Sequence, residues 1–187
     1  MLSISNLQTG THIVHNGAPH QIIYAERSKL GRGGAMLHAK LKNLLNGSLV
    51  DFTFKGNDKI EEAQITRSRA QFTYAQENNY NFMDSASFEQ FTLSGDMIGQ
   101  SKDFLKEGVE VGVINSNGRP INVTLPIKMN FIVKETEPAV RGNTVQGSVT
   151  KPAIIETGAK IQVPIFIKVG DFIKINTQTG AYVERVK

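Results

Sequence analysis

The chain has 187 residues, 40% of them hydrophobic and 20% charged, with a formal net charge of +4. That is core-forming material, enough for one domain of ordinary size or for two or three small ones. The absence of cysteine excludes a disulfide framework, a thiol nucleophile and any Cys-ligated metal or iron–sulfur centre. No stretch approaches the ~18 consecutive apolar residues of a membrane span. Residues 1–6 have neither the basic nor the apolar region of a secretory signal, so a cytoplasmic protein without membrane contact is expected.

In chain order, short runs rich in Val, Ile, Phe and Tyr recur between Gly, Asn and Asp turn signals. They fall at 20–25, 36–41, 49–55, 71–75, 109–115, 121–125, 129–136, 160–163, 165–169, 172–176 and 181–186. Repeat distances of about 8–12 residues predict small antiparallel barrels, because the gaps are too short for the helical crossovers of a parallel sheet. One helix is predicted near 97–106, with Asp96 as its cap, Gly108 past its end, and Met97, Ser101, Phe104 and Leu105 on one face. A single helical turn is a weaker expectation near 44–47. Boundaries after the charged stretch 59–62 and at Pro126 divide the chain into 1–64, 65–127 and 128–187. Pieces of about 60 residues suit five-stranded barrels of the SH3-like or OB type, which periodicity does not separate.

Charge is unevenly spread. Residues 1–64 carry seven Lys and Arg against five Asp and Glu, residues 65–127 five against seven, and residues 128–187 nine against five. The densest positive run holds Arg27, Lys29, Arg32, Lys40 and Lys42 with only Glu26 opposing. Within it, Gly31-Arg32-Gly33-Gly34 separates two strand-like runs and reads as a hairpin tip from which Arg32 projects. A phosphate loop would need Gly-Lys-Ser/Thr and then a helix, whereas Ala35-Met36-Leu37 leads into a strand. A solubilising arginine on a hairpin and a functional one fit this local pattern equally well.

Other constellations are weak. His12, His15, His20 and His38 lack the cysteines and nearby carboxylates of a zinc shell, and His12 and His15 would face opposite sides of a strand, so no metal or other cofactor is expected. Phe72, Tyr74, Tyr80, Phe82, Phe88 and Phe91 crowd into twenty residues. They are read as the core of a Trp-free barrel rather than as base-stacking platforms. No nucleophile elbow or metalloprotease helix occurs, and the carboxylates are dispersed, with only Glu61-Glu62 adjacent and no compelling acid/base pair, so no catalytic residue is assigned and the protein is read as not an enzyme.

The segment from Lys151 to Gly170 reads Lys-Pro-Ala, four residues, Gly158, two residues, Ile161, Gln162, Val163-Pro164, and on to Ile167 and Gly170. This resembles the C-terminal signature of bacterial elongation factor P. The hairpin from Ser28 to Ala35 resembles that family's tip loop, and Lys40-Leu41-Lys42, Phe82-Met83-Asp84 and Gly142-Asn143-Thr144 extend the likeness along the chain. The resemblance implies an all-β protein of three small barrels, an SH3-like one followed by two OB-fold barrels, in an elongated tRNA-like arrangement. It implies a monomeric factor that binds the 70S ribosome between the peptidyl-tRNA and exit sites and relieves stalling at consecutive prolines.

In this reading Arg32 contacts the CCA end of peptidyl-tRNA. Lys29, Gly31, Gly33 and Gly34 complete the tip, and Arg27, Lys40 and Lys42 contact RNA phosphates. Gly142, Asn143 and Thr144 form the loop near the exit-site codon of the mRNA, and Tyr182 and Arg185 face the small subunit. The family usually has Lys at the tip and Pro before its glycine, where this chain has Arg32 and Leu30. Three states stay open: an Arg32 rhamnosylated by a modifying enzyme, an unmodified Arg32 that acts by itself, or a paralogous factor. Outside the family, the competing reading is a generic RNA-binding β-barrel protein with Arg32 as one phosphate contact among several.

Overall fold

The computed structural model describes residues 1–29, 35–138 and 150–186. They form three curled five-stranded antiparallel sheets in succession. The first contains β1 (His12–His15), β2 (Ala18–Lys29), β3 (Ala35–Asn43), β4 (Leu49–Lys55) and β5 (Glu61–Glu62). Its order is β4-β3-β2-β1-β5, a meander whose last strand returns beside the first. The second contains β6 (Ile65–Gln76), β7 (Asn79–Asp84), β8 (Gln90–Ser94), β9 (Glu110–Ser116) and β10 (Arg119–Thr124). The third contains β11 (Lys128–Thr136), β12 (Thr150–Ile155), β13 (Lys160–Pro164), β14 (Phe172–Asn176) and β15 (Ala181–Val186).

The second and third sheets share one topology. In each, the first strand is central, its second and third strands lie on one side and its fourth and fifth on the other. A likeness of architecture without a sequence repeat follows from period-2 patterning, since any set of strands with one apolar face can close the same core.

That patterning is visible strand by strand. Along β3, Leu37, Ala39 and Leu41 are buried while Met36, His38, Lys40 and Lys42 point the other way. Along β11, Met129, Phe131 and Val133 are buried, and along β12 the inward column is Lys151, Ala153 and Ile155. Three buried clusters result, of which the second and third are bridged by Val109 and Leu125. Of the crowded aromatics, Phe72 and Phe82 lie in the second core, with Tyr80 and Phe91 packed against it. Tyr74 and Phe88 are exposed.

Two further expectations change. The helix is shorter and earlier than predicted: α1 spans Gly95–Ile98, Ser94 rather than Asp96 precedes it, and a 3-10 segment runs over Gly99–Phe104. Gly99 sits at φ +64 and breaks the α-helix. The consequence is large. An unbroken helix would keep Phe104 and Leu105 on one face, whereas here Leu105 joins the second core and Phe104 enters the third. Residues 165–169, expected as a strand, form a turn. Ile167 N donates to Pro164 O (3.1 Å) and Lys168 N to the Asp171 carboxylate (2.8 Å), because Pro164 ends the ladder. The β6–β7 hairpin turns at Glu77-Asn78, with Gln76 opposite Asn79. Near 44–47 there is one closed turn, Gly47 N to Asn43 O at 2.9 Å.

Candidate nucleic-acid interface

The hairpin of β2 and β3 pairs in register from His20↔Asn43 to Lys29↔Ala35, with one bulge between Ile22 and Tyr24. This ladder carries the tip. Gly31, Arg32, Gly33 and Gly34 lie outside the described residues, as does the Lys29 side chain. Lys29 itself is the last paired residue of β2.

The positive run does not form one face. Residues paired across an antiparallel ladder project to the same side, and Arg27 is paired with buried Leu37. Its guanidinium turns over the edge of the core and donates to the backbone carbonyls of Ser5 (2.9 Å) and Leu7 (3.2 Å). Arg27 therefore clips the N-terminal 3-10 segment Ile4–Asn6 to the hairpin, whatever its charge contributes beyond that. Lys40 and Lys42 occupy the opposite, outward face. Lys40 lies 3.9 Å from Asp51 across β4, and Lys42 has no ion pair among the described residues. Lys55, which sequence reasoning did not single out, joins that face because β4 places it opposite Met36. Its signal was an alternation in step with Lys40 and Lys42, unreadable until the register of β4 was known.

Two histidines of this sheet are held below the ordinary histidine value near 6.5: His12 by burial and then by the Arg67 charge, His15 by burial and then by His20. The His15 ring packs on Phe52 at 4.5 Å and edge-on to His20 at 5.5 Å. The fold thus favours the neutral forms. Its contribution to stability is present above about pH 6.5, where the unfolded chain is also neutral, and is lost as pH falls below it. The thermal midpoint of the first unit is expected to drop between about pH 7.5 and 5.5, and a His15→Gln variant should show a smaller drop. Among the described residues, no group of three or more His, Cys, Asp or Glu is placed to hold a metal ion.

In the third sheet, Gly142, Asn143 and Thr144 lie outside the described residues. Tyr182 is opposite Ile175 and packs half-buried against the third core. Arg185 lies 3.9 Å from the Asp171 carboxylate. Both therefore complete the final hairpin, and Arg185 keeps about half its side chain exposed. The signature residue Lys151 is buried in the inward column of β12, its Nζ donating to Glu137 O at 2.6 Å. Thr136 Oγ1 donates to Pro152 O at 2.9 Å beside it. The two bonds tie the end of β11 to the start of β12, a role the bare signature does not disclose.

A five-stranded meander followed by two like-folded five-stranded sheets is the build of one KOW-like and two OB-type domains. The family model "Elongation factor P (EF-P) KOW-like domain" matches residues 3–60. The model "Elongation factor P (EF-P) OB domain" matches 65–123, and "Elongation factor P, C-terminal" matches 129–185. The chain is 41% identical over 185 residues to elongation factor P of Endomicrobium trichonymphae, covering 99% of this chain and 100% of that protein. It is likewise 41% identical over 186 residues to elongation factor P of Aquifex aeolicus, covering 100% of this chain and 96% of that one. Among solved structures, a eukaryotic translation initiation factor 5A from Methanococcus jannaschii shares the fold. It superposes with a TM-score of 0.55 at 23% identity, over 66% of this chain and 91% of that one. The chain belongs to the elongation factor P family, and so to the translation elongation factors.

Proposed function

We propose that this factor binds the 70S ribosome between the peptidyl-tRNA and exit sites and restores peptide bond formation at consecutive prolines. Proline's ring and secondary amine make it a poor donor and acceptor, so a prolyl pair rests badly aligned for attack. The Arg32 tip, completed by Lys29, Gly31, Gly33 and Gly34, holds the CCA end of peptidyl-tRNA in near-attack geometry. This is acceleration by positioning, with no acid, base or nucleophile supplied by the protein. The functional division follows residues 1–64, 65–127 and 128–187. The first part reaches the peptidyl-tRNA. The third faces the exit-site codon through Gly142, Asn143 and Thr144 and the small subunit through Tyr182 and Arg185.

The observation that carries the reading is the long β2–β3 hairpin, paired without interruption on the tip side of its one bulge and flanked by β4 from Met36 to Lys42, which delivers its end residues as a unit. Lys40, Lys42 and Lys55 on its outward face suit a phosphate backbone running alongside. Ribosomes stalled at three consecutive prolines should resume synthesis when the protein is added, and failure to resume would sink the proposal. Lys42→Ala should weaken ribosome binding and lower the slope of log affinity against log salt by about one. Lys40→Ala should do less, because Asp51 already shares that charge. Equal effects at the two positions would contradict this account of the outward face.

A further inference from the structure

The three sheets are joined by two junctions of different construction. Between the second and third, apolar packing is continuous. Phe104 from the second unit lies in the third core, and Val109 and Leu125 pack against both. Lys106 Nζ donates to Asn130 O (3.0 Å) and lies 3.4 Å from the Glu156 carboxylate. Thr157 Oγ1 donates to Asp103 O at 2.7 Å. Between the first and second units, no buried cluster of the described residues contains members from both sides.

Few hydrogen bonds among the described residues cross that first junction. Asn117 N to Gln64 O, at 3.1 Å, is a main-chain bond close to the connection itself. The one side chain among the described hydrogen bonds that spans it is Asn122. Its Nδ2 donates to Leu44 O (3.1 Å) and Leu45 O (3.3 Å), and its Oδ1 accepts from Val123 N (2.7 Å). The last bond fixes which end of the carboxamide faces the first unit, since only the amino end can donate. A register shift between Pro120 and Asn122 takes the side chain out of the regular alternation of β10, as bulges do where a side chain must be re-aimed.

The turn that accepts these bonds is itself braced. Leu45 N donates to Asn43 Oδ1 (2.8 Å), Gly47 N to Asn43 O (2.9 Å) and Leu44 N to Pro19 O (2.9 Å). It is also the end of β3, whose far end is paired at Lys29↔Ala35. A nine-residue strand is a lever of about 30 Å, so about 10° of slack at the turn displaces its other end by about 5 Å.

We propose that Asn122 is a positioning residue: its two donated bonds set the direction of the β2–β3 arm relative to the second and third units. The geometric part stands on the contacts alone. The effect on activity rests on the reading that the arm presents Arg32 to peptidyl-tRNA.

The absence of cysteine makes the test direct. Lys59→Cys and Lys160→Cys in the full chain give two unique, exposed sites for spin labels, and pulsed electron paramagnetic resonance reads the distance between the first and third units. Asn122→Ala and Asn122→Asp are compared with the parent. Aspartate keeps the acceptor for Val123 N and loses both donors, so it isolates the clip from the local fold of β10. The expected result is a distance distribution shifted or broadened by several ångströms in both variants, with circular dichroism unchanged. A distribution within about 2 Å of the parent in both would overturn the inference.

In the activity arm, prolyl transfer at saturating factor should fall at least tenfold, with ribosome affinity changed less than threefold, because a misplacement of ångströms is costly to a reaction run by positioning. Unchanged transfer in both variants, with Arg32→Ala inactive, would overturn the positioning role. If Arg32→Ala is itself active, the reading of the arm falls and the distance measurement alone decides on Asn122.

Discussion

Arg32→Ala is expected to abolish rescue at consecutive prolines while the protein remains folded. In the proposed function the entire acceleration comes from one side chain holding the reacting end of a tRNA, and effects of this kind amount to about a hundredfold or more when geometry is lost. Lys40 and Lys42 lie along the arm rather than at its end, and a phosphate contact there strengthens binding without placing the CCA end. The fold should be indifferent, because the core of the first unit is made by Leu7, Ile13, Ile22, Leu37, Ala39, Leu41, Phe54 and Ile60. A tip substitution should move stability by no more than about 0.5 kcal/mol. The measurement is a polyproline reporter strain together with a purified prolyl-transfer assay. Persistent rescue by the alanine variant refutes the tip mechanism.

Arg32→Lys separates two versions of the same idea. An arginine acting through its planar, five-donor guanidinium is not replaced by a point-charge ammonium. An intact mass of the protein from its own host, increased by one deoxyhexose, would instead indicate rhamnosylation, and an unshifted mass would leave the bare side chain.

Phe104→Ala should be the most destabilising single truncation at the junction between the second and third units. The side chain is 7% exposed, lies on the 3-10 segment of the second unit and is a member of the third core. Its ring centroid is 5.9 Å from that of Phe131, and it borders Gly180 in the last hairpin. Removing a buried phenyl ring costs about 3–5 kcal/mol, transfer and cavity together. Against a total stability of about 5–15 kcal/mol this is a large share. The loss should appear in a transition shared by both units, since Lys106 and Thr157 also tie them. Urea denaturation followed in the two units separately checks it. A cost below about 1 kcal/mol, or a loss confined to the third unit, would show that Phe104 does not couple them.

Much of this architecture was legible in the sequence. The alternation of Leu37, Ala39 and Leu41 with Met36, His38 and Lys40 is a local property, because the period of a strand is 2 whatever it packs against. The same holds for Met129, Phe131 and Val133, and for the turn signals that separate the runs. The pairing of β2 with β3 and the turn after Pro164 in the C-terminal signature depend likewise on local signals, since glycine, proline and their spacing act on the neighbouring backbone. The absence of helical crossovers in the gaps between runs was enough to expect antiparallel barrels.

What the sequence did not disclose depends on partners far away in the chain. Arg27 and Lys40 belong to one basic run, yet one clips Ser5 and Leu7 while the other faces outward. That split follows from the cross-strand register of β2 and β3, a pairing between residues that only the folded ladder brings opposite. The left-handed Gly99 cut the predicted helix, and Phe104 and Leu105 entered two different cores, because Phe104 packs on Phe131 of the third unit, a contact that no helical periodicity encodes. Asn122 looks like one more polar strand residue until its bulge and the braced turn at Asn43 are set side by side. Composition and pattern thus determined that this cysteine-free, mildly basic chain would make small antiparallel barrels. Only the tertiary structure decided which charges remain outward, which barrels share a core and which residue holds the arm, because burial and hydrogen bonding between distant segments are properties of the packed whole.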